Sequence, residues 1–208
     1  MYSHTDHTNS EARWLLFLSG DSQALDTLVK DHYNLLYQYG CKFTRDTGLV
    51  KDCIQDLFLF LWQKRTSIRE TPSVCHYLMK ALRRRLERAL TRTKLFVTPG
   101  TDYIAFRAIP EESLEDKIIV DEQSAELAYK IRKGLAALSQ RQQEILYLRY
   151  YLNADPAQIA DIMGLHRQSV YNLLHTAIHQ LRIISETYFK PVLSAIILLI
   201  ACSATPTL

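Results

Sequence analysis

Glycine and proline are scarce in this chain, six of each among 208 residues. That is too few turn formers for a β-sandwich or barrel, and helices are expected instead. Cysteine is scarce as well. Cys41, Cys53, Cys75 and Cys202 stand far apart, with no Cys-x-x-Cys pair and no histidine at ligand spacing, which argues against a zinc or disulfide scaffold and for free thiols in a reducing cytosol. No Gly-rich phosphate loop, Gly-x-Ser-x-Gly or His-Glu-x-x-His occurs, and no metal, cofactor or enzymatic activity is expected. The start, Met1–Ser10, has no apolar stretch behind a basic segment, so no secretory signal is expected and the location is read as cytoplasmic. The longest apolar run, Val192–Ala201, is about half of the ~20 residues that cross a bilayer as a helix. Neither sign of charge dominates: 25 Lys and Arg against 22 Asp and Glu leave a net +3, so any nucleic-acid reading must rest on where the charges lie.

What is present is helical periodicity. From Asp21 to Tyr39, apolar residues recur at Leu25, Leu28, Val29, Leu35, Leu36 and Tyr39, one face of a helix with Asp21 or Ser22 as its N-cap. After Gly48, Val50, Ile54, Leu57 and Leu61 form a stripe with Phe58 and Trp62 beside it, and Lys51, Asp52, Gln55 and Asp56 fall opposite. A third helix is expected from about Val74 to Thr91, with Tyr77, Leu78, Leu82, Leu86 and Leu90 inward. Between Phe96 and about Ser124, Pro99, Gly100 and Pro110 interrupt the pattern and Glu111, Glu112, Glu115, Asp116, Asp121 and Glu122 crowd around Lys117, which reads as an acidic linker. Periodicity resumes at Ala125. The expected fold is all-α, with two small helical domains: 11–95, a linker over 96–124, a second domain over 125–188, and an apolar tail over 189–208.

Two constellations point to nucleic acid. Pro156 to Leu174 has helix-turn-helix spacing: Ile159, Ala160 and Met163 inward, Gly164 able to take a positive-φ turn, then Val170, Leu173 and Leu174 inward. Ala160 is small where two helices cross steeply. The outward residues His166, Arg167, Gln168, Ser169, Tyr171, Asn172 and His175 can reach base edges and phosphates, although any αα-hairpin with a glycine turn shares the spacing. The helix from Val74 carries Lys80, Arg83, Arg84, Arg85, Arg88, Arg92 and Lys94 against the single acid Glu87. That is either a solvated face or a field suited to phosphates, with His76 and Tyr77 at its start placed to stack on an unpaired base. Asp52 and Asp56 read as a solvated face rather than an acid/base pair, and His175 with His179 lacks a third ligand.

Together these motifs resemble a bacterial RNA polymerase sigma factor of the small extracytoplasmic-function group, in the sigma-70 family, over about Asp21 to Arg182. Asp52 to Trp62 is similar to the segment that docks on the clamp helices of the β′ subunit, which implies Asp52, Gln55 and Asp56 as polymerase contacts. Tyr77 to Arg88 resembles the helix that recognises and opens the minus-ten element, implying DNA contacts at His76, Tyr77, Lys80, Arg83, Arg84 and Arg88, with Arg84 where the family usually carries Asn. Leu138 to Arg149 is similar to the family's Leu-Pro-x-x-x-Arg segment, and Ile159 to Arg182 resembles its minus-thirty-five reader, which implies DNA contacts at His166, Arg167, Gln168, Ser169, Tyr171, Asn172 and His175. Leu173 and Thr176 stand where many members carry Arg.

The resemblance implies an initiation factor without covalent chemistry, partnered by core RNA polymerase through the β′ clamp helices and the β flap, by promoter DNA, and by a membrane-bound anti-sigma protein. A polymerase-independent helix-turn-helix regulator and a helical protein-binding adaptor are the other readings. The tail lies outside the resemblance; docking on an apolar groove is expected, with peripheral membrane association as the alternative.

Overall fold

The computed structural model describes residues 5–95, Phe106 and 133–183. The linker apart from Phe106, residues 125–132 and the tail lie outside the described residues. Helices α1 (Thr5–Leu18), α2 (Ser22–Gly40), α3 (Thr47–Lys64) and α4 (Val74–Leu95) form the first unit. The second has a helical turn at 133–136, α5 (Gln140–Leu146), a π-helical turn (Tyr147–Tyr151), α6 (Pro156–Met163) and α7 over 167–183. No strand occurs among the described residues.

Local chemistry sets the helix starts. Asp21 caps α2 by accepting from the backbone N–H of Gln23 at 2.8 Å and of Ala24 at 3.3 Å, and Asp46 caps α3 by accepting from Leu49 N–H at 2.9 Å. Most of the expected stripes are buried: Leu28, Leu35, Leu36 and Tyr39 of α2, Val50, Ile54, Leu57, Phe58 and Leu61 of α3, and Leu78, Leu82 and Leu86 of α4, which Met79 joins, while Leu25, Val29, Tyr77 and Leu90 are half-buried. Helices α2 and α3 approach closely at Gly40, where a Cβ would stand 2.6 Å from Val50 Cγ1, so any side chain there must displace the β-branched neighbour.

Helix α1 is an addition to the expected elements. It buries Trp14 and Phe17 completely, leaves Leu15 and Leu16 exposed, and is tied to α2 by an ion pair between Arg13 and Asp31. Cys41, Cys53 and Cys75 are free thiols; burial pushes the Cys75 thiol up to about 12, which keeps it protonated and unreactive.

His32, on α2, is buried next to that ion pair. Burial holds its pKa below the ordinary 6.5, Arg13 adds to the effect and Asp31 opposes it. The folded chain therefore keeps His32 neutral, whereas the unfolded chain protonates it near 6.5. Its contribution is complete above that pH and is lost as pH falls toward the lowered folded value, with a slope of up to ~1.4 kcal/mol per pH unit. Urea midpoints at about pH 7.5 and 5.5 should therefore differ less for His32→Gln than for the unaltered protein; equal differences would show that His32 does not carry this dependence.

Candidate nucleic-acid interface

The helix-turn-helix is built by local rules. Asp155 and Gln158 form a reciprocal capping box at the start of α6, with Pro156 in its first turn. The helix ends on Gly164 at φ +66°, a left-handed turn open enough that a Cβ would meet nothing within 4 Å; glycine is there for the backbone conformation. Ile159, Ala160, Ile162 and Met163 of α6 and Val170, Leu174 and Ala177 of α7 are buried together. His166, Arg167, Gln168, Tyr171, Asn172 and His175 are exposed on α7, and Ser169 is half-buried. Gln168 Nε2 donates to Asn172 Oδ1 at 3.2 Å, and Gln142 Nε2 donates to Thr176 Oγ1 at 3.4 Å, tying α5 to α7.

On α3, Asp52, Gln55 and Asp56 form an exposed ridge continued by Leu59 and Phe60, 52% and 44% exposed. Beside it runs an apolar groove between α2 and α3, lined by Leu25, Val29, Tyr33, Ile54, Phe58 and Trp62. A partner that offers both apolar and basic groups suits this surface.

Helix α4 divides its predicted contacts. Arg84 and Arg88 are exposed and, with Lys80, Tyr77 and Arg85, line a groove floored by Leu57, Phe60 and Leu61. The Arg85 guanidinium lies 4.9 Å above the Phe60 ring. Tyr77 is half-buried with its edge toward Trp14, ring centroids 5.4 Å apart, so its ring serves the core as well as the surface; His76 is also half-buried. Arg83 and Lys80 face the second unit. Arg83 donates from Nε to Glu144 Oε1 at 2.8 Å and also pairs with Glu87, while Lys80 pairs with Asp161. Sequence reasoning counted one acid against this helix; the fold supplies two more, from α5 and α6.

Glu144 is buried and also accepts from the Tyr39 hydroxyl at 2.8 Å. Burial works against the Arg83 charge, but the charge and hydrogen bonds of Glu144, with Tyr39 and Glu87, more than offset it and raise the guanidinium pKa. Burial first and the Glu144 charge second push the Tyr39 phenol well above its ordinary range, so it remains a donor. No local signal marks Tyr39 or Glu144, because their partners lie 105 and 61 residues away. No group of three or more metal-ligating side chains exists among the described residues, and no helix among them is long and apolar enough to cross a membrane.

Comparison with known proteins agrees with this arrangement. The family models for sigma-70 region 2 and sigma-70 region 4 match residues 28–95 and 129–181, together more than half of the chain. The extracytoplasmic-function RNA polymerase sigma factor SigL of Mycobacterium tuberculosis is 25% identical over 167 residues, covering 79% of this chain and 90% of the relative. Among solved structures, CnrH in complex with the cytosolic domain of CnrY shares the fold with a TM-score of 0.56 at 19% identity, over 86% of this chain and 97% of that one. RpoE in complex with the anti-sigma factor NepR from Bartonella quintana gives 0.55 at 14%, over 77% and 96%. With both sigma regions present in order on an all-α frame, the chain belongs to the sigma-70 family of transcription initiation factors, in its extracytoplasmic-function group.

Proposed function

We propose that this factor joins core RNA polymerase through the α3 ridge and places it on promoters through α4 and α7. Asp52, Gln55 and Asp56 meet the β′ clamp helices, and the neighbouring apolar groove takes their apolar side. The exposed Arg84 and Arg88, joined by Lys80 and Arg83 once these leave their carboxylates, hold the opened minus-ten strand. Unstacking costs a few kcal/mol per step and is offset by phosphate contacts and polymerase binding. His76 and Tyr77 border that path. The α7 face of His166, Arg167, Gln168, Ser169, Tyr171, Asn172 and His175 reads the minus-thirty-five element in the major groove, and the apolar groove of Leu135, Leu146, Tyr150, Tyr151, Ile178 and Leu181 receives the β flap.

The observation that carries this reading is the division of α7 into a buried Val170, Leu174, Ala177 stripe and an exposed polar face, on a chain that also presents the α3 ridge. The proposal keeps the domain division over 11–95, 96–124, 125–188 and 189–208. The factor does no covalent chemistry of its own, works in the cytoplasm and is held by an anti-sigma partner, as RpoE is seen with NepR. Run-off transcription with core polymerase tests the whole: defined start sites that appear only when this protein is added support it, and transcription independent of it would overturn it.

Arg167 stands at the exposed start of α7, where a guanidinium can pair with a guanine edge. Arg167→Ala should cost about 1–3 kcal/mol and relax preference at one base position. Affinity measured across single-base promoter variants checks this, and a uniform loss would make Arg167 a phosphate contact.

A further inference from the structure

One apolar groove of the second unit is left open by its own helices. Leu146 of α5, Tyr150 and Tyr151 of the π-helical turn, and Ile178 and Leu181 of α7 line it, and no charged side chain takes part. Tyr150, Tyr151 and Ile178 remain exposed there. Helix α7 is described to Ile183, and the sequence that follows is unlike the rest of the chain: Lys190 is its only base, nothing after Lys190 is charged, and Ser194 is the only polar residue of Val192–Ala201. Water penalises such a run, which has no polar face to turn outward. It is also tethered beside the groove. The stretch from Ile183 to Val192 reaches up to ~30 Å when extended, whereas Ile178 lies only about 8 Å back along α7. Pro191 steers Lys190 away from helical backbone, which favours a change of direction where the run begins.

We infer that Val192–Ala201 folds back into this groove in the free factor and holds the place that the β flap takes, so that polymerase must displace it. The inference rests on the reading of the groove as the flap site. The groove between α2 and α3 is also apolar, but Lys51 lines it and Asp52 and Asp56 stand beside it. An uncharged segment suits the neutral groove better, and that groove is the one whose wall carries the tether. A lipid surface suits the segment less, because interfacial segments set a basic face against their apolar one and Lys190 is the only base after Arg182. A short flexible tether gives an effective concentration of about 1 mM. A contact with a dissociation constant of about 0.1 mM then fills ~90% of the grooves and weakens a competitor about ten-fold. Weakly binding surfaces are thereby kept out, while polymerase, which holds the factor at several places at once, is not.

The test places a benzophenone amino acid at the position of Ile197 in the full chain. Irradiation should give cross-links within one chain, independent of protein concentration, that mass spectrometry maps to Tyr150, Ile178 or Leu181. Cross-links outside the groove, or only between two chains, would overturn the inference. So would sedimentation of the unaltered protein with phosphatidylglycerol and phosphatidylethanolamine vesicles. Ile196→Asp combined with Leu198→Asp should then leave the circular dichroism spectrum unaltered and raise affinity for core polymerase about ten-fold, as the occupancy requires.

Unaltered or weakened polymerase affinity in that double variant would overturn the inference even with cross-links in the groove. Ile178→Asp, added to the double variant, separates this failure from failure of the flap reading. If it lowers polymerase affinity while the substitutions at Ile196 and Leu198 change nothing, only the inference falls; if it too is silent, the assignment of the groove to the β flap falls with it. Tyr150→Asp, at a side chain 68% exposed, takes its place should Ile178→Asp unfold the second unit.

Discussion

Trp14→Ala is expected to destabilise the first unit by about 3–5 kcal/mol, a large share of the ~5–15 kcal/mol that holds a domain folded. Trp14 is 1% exposed and packs on Phe17 and Tyr77, with ring centroids at 5.1 and 5.4 Å. Truncation removes the side chain that joins α1 to the start of α4, and the hole cannot collapse without moving both helices. The indole N–H meets no acceptor among the described residues, so Trp14→Phe gives up no hydrogen bond and should cost much less than alanine. Urea unfolding should show a lowered midpoint with an unaltered slope. A loss below about 1 kcal/mol would show that α1 lies outside the cooperative unit.

Replacing Gln55 and Asp56 together with Ala should lower affinity for core polymerase at least ten-fold while moving folding stability by less than about 0.5 kcal/mol. Hydrogen bonds to charged groups contribute about 1.5–3 kcal/mol each, and ~1.4 kcal/mol is a factor of ten. Both side chains are exposed, while Ile54, Leu57 and Phe58 on the same helix are buried, so the substitutions leave the core untouched. Unaltered polymerase affinity with an intact fold would remove α3 from the docking surface.

The elements readable in the sequence are those whose burial follows a helical period. Leu28, Leu35, Leu36 and Tyr39 mark α2, and Val50, Ile54, Leu57 and Leu61 mark α3; all are buried. Gly164 was readable because the turn requires a backbone that glycine adopts without cost. Helix α1 was not readable in this way. Trp14-Leu-Leu-Phe-Leu18 is a continuous apolar run in which no stripe stands out, and only packing decides that Trp14 and Phe17 turn inward while Leu15 and Leu16 face out.

The basic helix shows the same limit for charge. Counting along the chain sets seven bases from Lys80 to Lys94 against Glu87, which points to phosphates. It could not show that Arg83 is 13% exposed and paired with a buried carboxylate of α5, or that Tyr39, read as a core residue of α2, donates its hydroxyl to the same carboxylate.

By itself, the sequence determined α2 to α4, the Asp21 cap, the helix-turn-helix and the family, because period, capping and turn chemistry act between residues a few positions apart. The tertiary structure alone decided which bases of α4 are masked and that α1 completes the core. Those outcomes depend on contacts such as Arg83 to Glu144 and Tyr39 to Glu144, spanning 61 and 105 residues. Pairings over such separations leave no periodic trace in the chain, since they are set by how whole helix faces pack and by which charges burial forces together.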